Sequence, residues 1–150
     1  MKNKEWGPGP WDDEPDRAEW RDEATGRPCL AVRNSMGAWC GYVAVDPGHP
    51  LCDGGRDDLD LDVHGGVTYA GKCNDHVCHT PLPGEPADVT WIGFDCGHCG
   101  DLMPLMRMRE RELDAKLGRR LASPYGKEYR TLDYVRTECA KLAAQVVALG

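Results

Sequence analysis

Arg27-Pro28-Cys29-Leu30-Ala31-Val32-Arg33-Asn34-Ser35-Met36-Gly37-Ala38-Trp39-Cys40-Gly41-Tyr42-Val43-Ala44-Val45 decides the fold class of this 150-residue chain. Two short runs rich in Val, aromatic and small apolar residues flank Asn34-Ser35-Met36-Gly37, whose Asn and Gly suit a tight reversal of direction. The stretch therefore predicts an antiparallel hairpin. Asp46-Pro47-Gly48-His49-Pro50 ends its second strand, and His49 reads as a residue of a rigid turn.

Working outward, Val89-Thr90-Trp91-Ile92-Gly93-Phe94-Asp95 is apolar nearly throughout, as a central strand should be. Leu59-Asp60-Leu61-Asp62-Val63-His64 alternates apolar and polar side chains, the period of a half-buried strand. Gly65-Gly66 then allows a bulge or a close backbone approach before Val67-Thr68-Tyr69 resumes the pattern. Between the last two strands lies a Pro/Gly-rich loop over 71–88, long enough to be either functional or tied down.

The C-terminal third is helical in pattern. Thr131 is placed as an N-cap, and Leu132, Val135, Cys139, Leu142, Val146 and Leu149 recur at steps of three and four, forming one apolar stripe. A second helix is expected to start near Asp101 as its cap, to tolerate Pro104 in its first turn, and to run through Arg107 towards Leu121, with Gly118 arguing for an end nearby. The amino-terminal 22 residues carry Trp6, Trp11 and Trp20 among Gly, Pro and acidic residues without a helix or strand period. Each Trp can bury about 150–250 Å², so this arm is expected to wrap the domain or a partner. The prediction is an α+β fold: a mainly antiparallel sheet of about four or five strands covered on one face by two C-terminal helices. Residues 23–150 form the single domain, preceded by an irregular Trp-rich arm over 1–22.

The composition narrows function more than it names it. Eighteen Gly, eleven Pro and one Phe describe a loop-rich soluble protein. No apolar run approaches the roughly 20 residues of a membrane span, and the amino terminus lacks a hydrophobic signal core, so a cytoplasmic location is expected. The net charge of −7 is uneven: −10 over residues 1–100 and +3 over residues 101–150. Such a chain repels duplex nucleic acid, while a basic face near Arg107, Arg109, Arg111, Arg119, Arg120 and Arg130 is either a solvated helix surface or a place for a small anion. Walker, GxSxG, HExxH and dinucleotide-binding patterns are absent from the sequence.

Chemistry concentrates in Gly93-Phe94-Asp95-Cys96-Gly97-His98-Cys99-Gly100-Asp101 and Val63-His64-Gly65-Gly66. In a reducing compartment Cys clusters point to metal, catalysis or burial rather than disulfides. Cys29, Cys40 and Cys139 fall in apolar runs and read as core. Cys73-x4-Cys78 with Cys96-x2-Cys99 has a spacing close to that of a structural zinc site, for which His76, His79 and His98 offer substitute ligands. A second reading brings His64, Asp95, His98 and Asp101 together at adjacent strand ends. They would hold a catalytic divalent metal, or use His98 as a base oriented by a carboxylate, with Gly65 and Gly66 admitting a ligand and Arg107, Arg111 or Arg130 pairing its charge. The competing reading satisfies Asp101 as a helix cap and Asp95 and His98 through loop amides.

Trp11-Asp12-Asp13-Glu14-Pro15, Thr25-Gly26-Arg27-Pro28-Cys29-Leu30, Cys40-Gly41-Tyr42-Val43, Val63-His64-Gly65-Gly66, Gly93-Phe94-Asp95-Cys96-Gly97-His98 and Tyr129-Arg130-Thr131-Leu132-Asp133-Tyr134-Val135 resemble a family of small proteins of unassigned activity encoded in tailed-phage and prophage genomes. The resemblance covers nearly the whole chain. In the family pattern a small residue usually stands where this chain has Cys99, which shifts weight from the four-cysteine site to His64, Asp95, His98 and Asp101. It implies an accessory protein of the infected cell, one role of which is to counter host defence. Three mechanisms follow: binding or phosphodiesterase-like cleavage of a small nucleotide immune signal; direct inhibition of a host defence protein; or action as a zinc-stabilised adaptor.

Overall fold

A computed structural model describes residues 6–53, 59–118 and 127–150. Its centre is a five-stranded antiparallel sheet of strands β1 (Arg17–Arg21), β2 (Pro28–Arg33), β3 (Trp39–Val45), β4 (Tyr69–Lys72) and β5 (Thr90–Asp95). They lie in the order β1-β2-β3-β5-β4. The hairpin forms as expected, with Arg33 opposite Trp39 and Cys29 opposite Val43. Its turn is held by Asn34, whose Oδ1 accepts from the amides of Met36 and Ala38 at 2.9 and 3.0 Å, and by Gly37 at φ +84°. β5 pairs with β3 from Cys40↔Asp95 to Val45↔Thr90, and so carries Asp95 to the end of the sheet.

Two segments depart from the sequence reading. Residues 17–21 of the amino-terminal arm are not irregular: they form edge strand β1, with Ala18 and Trp20 turned to the core and Trp20 opposite Cys29. Conversely, residues 59–64 are not a strand. Their alternation is real, since Val63 is buried and Leu59 and Leu61 pack on the core. The backbone, however, finds its partners on a helix: the Gln145 amide exchanges two 2.8 Å bonds with the N–H and C=O of Asp62, and Glu138 Oε1 accepts from the amide of His64 at 2.8 Å. Side chains meet the requirement that a neighbouring strand would otherwise meet.

Helix α1 spans Pro104–Leu117 and helix α2 spans Leu132–Leu149. α2 covers one face of the sheet. Thr131 caps it, with Oγ1 accepting from the Tyr134 amide at 3.1 Å, and Val135, Cys139, Leu142 and Val146 meet Cys29, Ala31, Val43, Ile92 and Phe94. The stripe fades at Leu149, which is half exposed. Gly41 sets the distance of closest approach: a Cβ there would stand 2.6 Å from the Phe94 ring and 2.9 Å from Val135 Cγ1. α1 does not share this role. It buries only Pro104, has Met103 rather than Asp101 at its N-cap, and is closed by Gly118 at φ +65°. The expected extension to Leu121 lies outside the described residues.

The opposite face of the sheet, with Leu30, Tyr42, Ala44 and Trp91, lies under the 71–88 loop, from which Val77 packs inward. Arg17 ties that loop to β1 through the carbonyls of His76 and Cys78, both at 2.6 Å. The arm packs on its own domain: Trp6 and Trp11 are buried, and the Arg33 guanidinium sits between the Trp6 and Trp39 rings. Among the described residues no helix is long and apolar enough to cross a membrane.

Candidate functional site

The turn after β5 and the turn at 63–66 meet beside the first two turns of α2. Asp101 is the hub. Its side chain is 2% exposed, yet both oxygens are engaged: Oδ2 lies 2.8 Å from His64 Nε2 and accepts from the His98 amide at 3.0 Å, while Oδ1 accepts from Arg130 Nε at 3.0 Å. Burial alone would raise this carboxyl, but the bonds from His64, the His98 amide and Arg130 outweigh it and hold the group below its ordinary 3.8. An ionised carboxylate only accepts, so His64 Nε2 carries the proton. Nδ1 is left to accept from the Tyr134 hydroxyl at 2.8 Å.

His98 completes the corner. Its ring centre is 5.8 Å from that of His64, and its Nδ1 stands 3.6 Å from Asp95 Oδ1 and 3.8 Å from Asp101 Oδ2. Neither distance is a hydrogen bond, and that nitrogen is buried without a hydrogen-bond partner although the ring as a whole is 35% exposed. Asp95 itself is bonded to the Gly97 amide at 2.9 Å. Gly65, at φ +68°, is required by this arrangement: a Cβ would fall 2.2–2.7 Å from the atoms of the His98 ring. At Gly66 a Cβ would meet nothing within 4 Å, which leaves open space above the turn.

Of the three arginines expected to pair with a ligand, Arg130 alone among the described contacts reaches the corner. The hydrogen bond to Asp101 raises its already high pKa, its Nη1 binds Glu128 at 3.0 Å, and its plane lies over the Tyr134 ring at 4.9 Å. Arg107 turns to the arm, donating to the Pro8 carbonyl at 2.6 Å and stacking on Trp11. Arg111 is exposed on α1 beside Arg107.

The four-cysteine zinc reading is overturned. Cys73 and Cys78 are bonded to each other, Cys96 is buried in the main core with its thiol pushed far up by burial and then by Asp101, and Cys99 is exposed. His76 and His79 do not gather with them; His79 packs edge-on against Trp91. His49 is the turn residue expected, with Nδ1 accepting from the Leu51 amide at 3.0 Å and Nε2 2.8 Å from the Val146 carbonyl. Among the described residues, the one group whose donor atoms could share an ion is His64, His98 and Asp101, all within 4.8 Å of one another.

The sequence reading missed Tyr134 and Glu138. They belong to a polar row on α2 that flanks the apolar stripe: Tyr134 meets the His64 ring, Glu138 its amide, Lys141 the Asp62 carboxylate at 3.7 Å and Gln145 the Asp62 backbone. Steps of four, three and four in these positions were the available signal. Compared with known proteins, the chain matches no family model, no curated protein and no solved structure.

Proposed function

We propose that the corner built from His64, His98, Asp101 and Arg130 binds a small nucleotide through its phosphate and cleaves a phosphodiester bond. The observation that carries this reading is one buried carboxylate that bonds the His64 imidazole and the Arg130 guanidinium and has the His98 ring 3.8 Å away. His98, whose ring is 35% exposed while its Nδ1 is buried and without a hydrogen bond, is the imidazole left to meet a ligand. Arg130 uses Nε and Nη1 within the protein, so Nη2 is the edge turned to a phosphate oxygen. Gly66 supplies the open approach. His64, fixed by Tyr134 and Asp101 on its two nitrogens, holds the carboxylate in place.

The resemblance to phage-encoded accessory proteins sets the biological role we assign: removal of a nucleotide immune signal in the cytoplasm of an infected cell. Direct inhibition of a host protein is the second reading, favoured by the half-exposed Leu113 and Leu117 on α1. The tryptophan arm gives that reading no surface, because Trp6 and Trp11 are buried in their own domain. Native mass spectrometry before and after incubation with a mixture of cyclic and linear nucleotides tests the proposal. A retained nucleotide or its cleaved product is expected, and a chain indifferent to every nucleotide in the mixture would overturn it.

A further inference from the structure

The charge of the corner poses a problem for any phosphate. Asp95, Asp101, Glu128 and Glu138 face it from the turn after β5, the 127–130 segment and α2, against Arg130 and Lys141. With neutral imidazoles that is two more carboxylates than cations, and Arg130 is already shared between Asp101 and Glu128. An anion meets net repulsion there, and a dication reverses its sign.

We infer that His64 Nε2, His98 Nδ1 and Asp101 Oδ2 are ligands of one divalent transition metal of the zinc class, which provides the positive charge that the nucleotide phosphate requires. Two imidazoles and one carboxylate form a donor set suited to such an ion, with a further position left for water or a phosphoryl oxygen. Three features of the structure fit this assignment independently of the nucleotide reading. His98 Nδ1 is a buried nitrogen with no hydrogen-bond partner, 3.8 Å from the shared carboxylate oxygen. Donor separations within 4.8 Å close to those of a common ion, with bonds of roughly 2.0–2.2 Å, through rotation of the partly exposed His98 ring. The supporting shell is also present: the Tyr134 hydroxyl on His64 Nδ1 and Arg130 on the second oxygen of Asp101. When the ion takes Nε2, the imidazole proton passes to Nδ1 and is donated to the Tyr134 oxygen, so the ring remains neutral.

The substrate half of this inference rests on the proposed function; the metal half does not. The test is titration of the full chain, stripped with chelator, with cobalt(II), followed by visible absorption and native mass. One cobalt per chain is expected, with d–d bands and no thiolate-to-cobalt charge transfer. Cys99→Ala should bind equally. His98→Ala, with an intact thermal transition, should lose affinity by at least about 100-fold, beyond the 10–100-fold expected of an outer-shell partner. Failure of the native chain to bind cobalt, a thiolate spectrum, or unchanged affinity in His98→Ala would overturn the metal site. A nucleotide bound as tightly in excess chelator would overturn the metal's role while leaving the proposed function in place. Metal binding with no nucleotide binding would leave the site and remove the proposed function.

Discussion

Two carboxylates, Glu14 and Asp101, hold the chain at the start of α2, and they differ in what they leave unused. Glu14 Oε1 accepts from Arg33, Trp39 Nε1 and the Tyr129 hydroxyl, and its Oε2 accepts from the Leu132 amide at 2.6 Å. It thereby fastens the amino-terminal arm, the hairpin and the first turn of α2 to one another. Asp101 is just as fully engaged, but one of its neighbours is not: His98 stands beside it with a buried nitrogen unpaired and a ring open to solvent. The first cluster is sealed: Arg33 is 1% exposed, its Nη atoms bond to Glu14, Gly37 and Tyr129, and its Nε, although without a hydrogen bond, is ion-paired with Asp16 at 3.3 Å. The second holds a group in reserve, and that is the physical distinction between a staple and a site.

Breaking the staple should have the largest effect on stability. Glu14→Ala leaves Arg33, whose side chain is 1% exposed, with Asp16 as its remaining carboxylate and takes the acceptor from Trp39, Tyr129 and the Leu132 amide, and should cost roughly 3–5 kcal/mol in urea unfolding. Asp101→Asn keeps the shape but not the charge. It should cost about 1–3 kcal/mol while abolishing metal and nucleotide binding; equal losses of stability in the two variants with binding retained would erase the contrast. Gly65→Ala sharpens it further: the left-handed backbone costs about 1–2 kcal/mol, and the new methyl displaces His98, so calorimetry should show binding falling out of proportion to stability. Tyr134→Phe removes only the hydroxyl on His64 Nδ1 and should change stability by about 1 kcal/mol.

The last effect is absent at neutral pH and is a dependence on alkaline pH at the far face of the sheet. Burial, and then the charge of Asp95, push the Cys40 thiol from 9.0 to about 11, against the pull of a hydrogen bond with Tyr42. The folded chain thus holds this proton more tightly than the unfolded one. Stability from this group is intact below pH 9 and declines as pH rises towards 11, and Cys40→Ala should flatten that part of the profile in denaturation at stepped pH.

The hairpin, β5 and α2 were legible because their signals are local: turn residues at 34–37, a continuous apolar run at 90–95, and a stripe at helical spacing. β1 was hidden by its length of five residues and its outward Arg17, Glu19 and Arg21. Residues 59–64 misled because alternation reports burial and not the source of backbone partners, which here are Gln145 and Glu138. The same limit governs the site. Glycine-flanked His64, Asp95, His98 and Asp101 stood out and are brought together, whereas Tyr134 and Glu138 gain their roles only when α2 docks. The cysteine spacing suggested a ligand set until Cys73 met Cys78.

The central claim is that the His98 corner is a site and the Glu14 cluster is not. His98→Ala tests it most directly, through its melting temperature and its nucleotide binding measured on the same preparation. Because the ring makes no hydrogen bond through Nδ1 and is partly exposed, the account predicts an unchanged thermal transition and lost binding. A collapsed transition, or binding equal to that of the native chain, would contradict it.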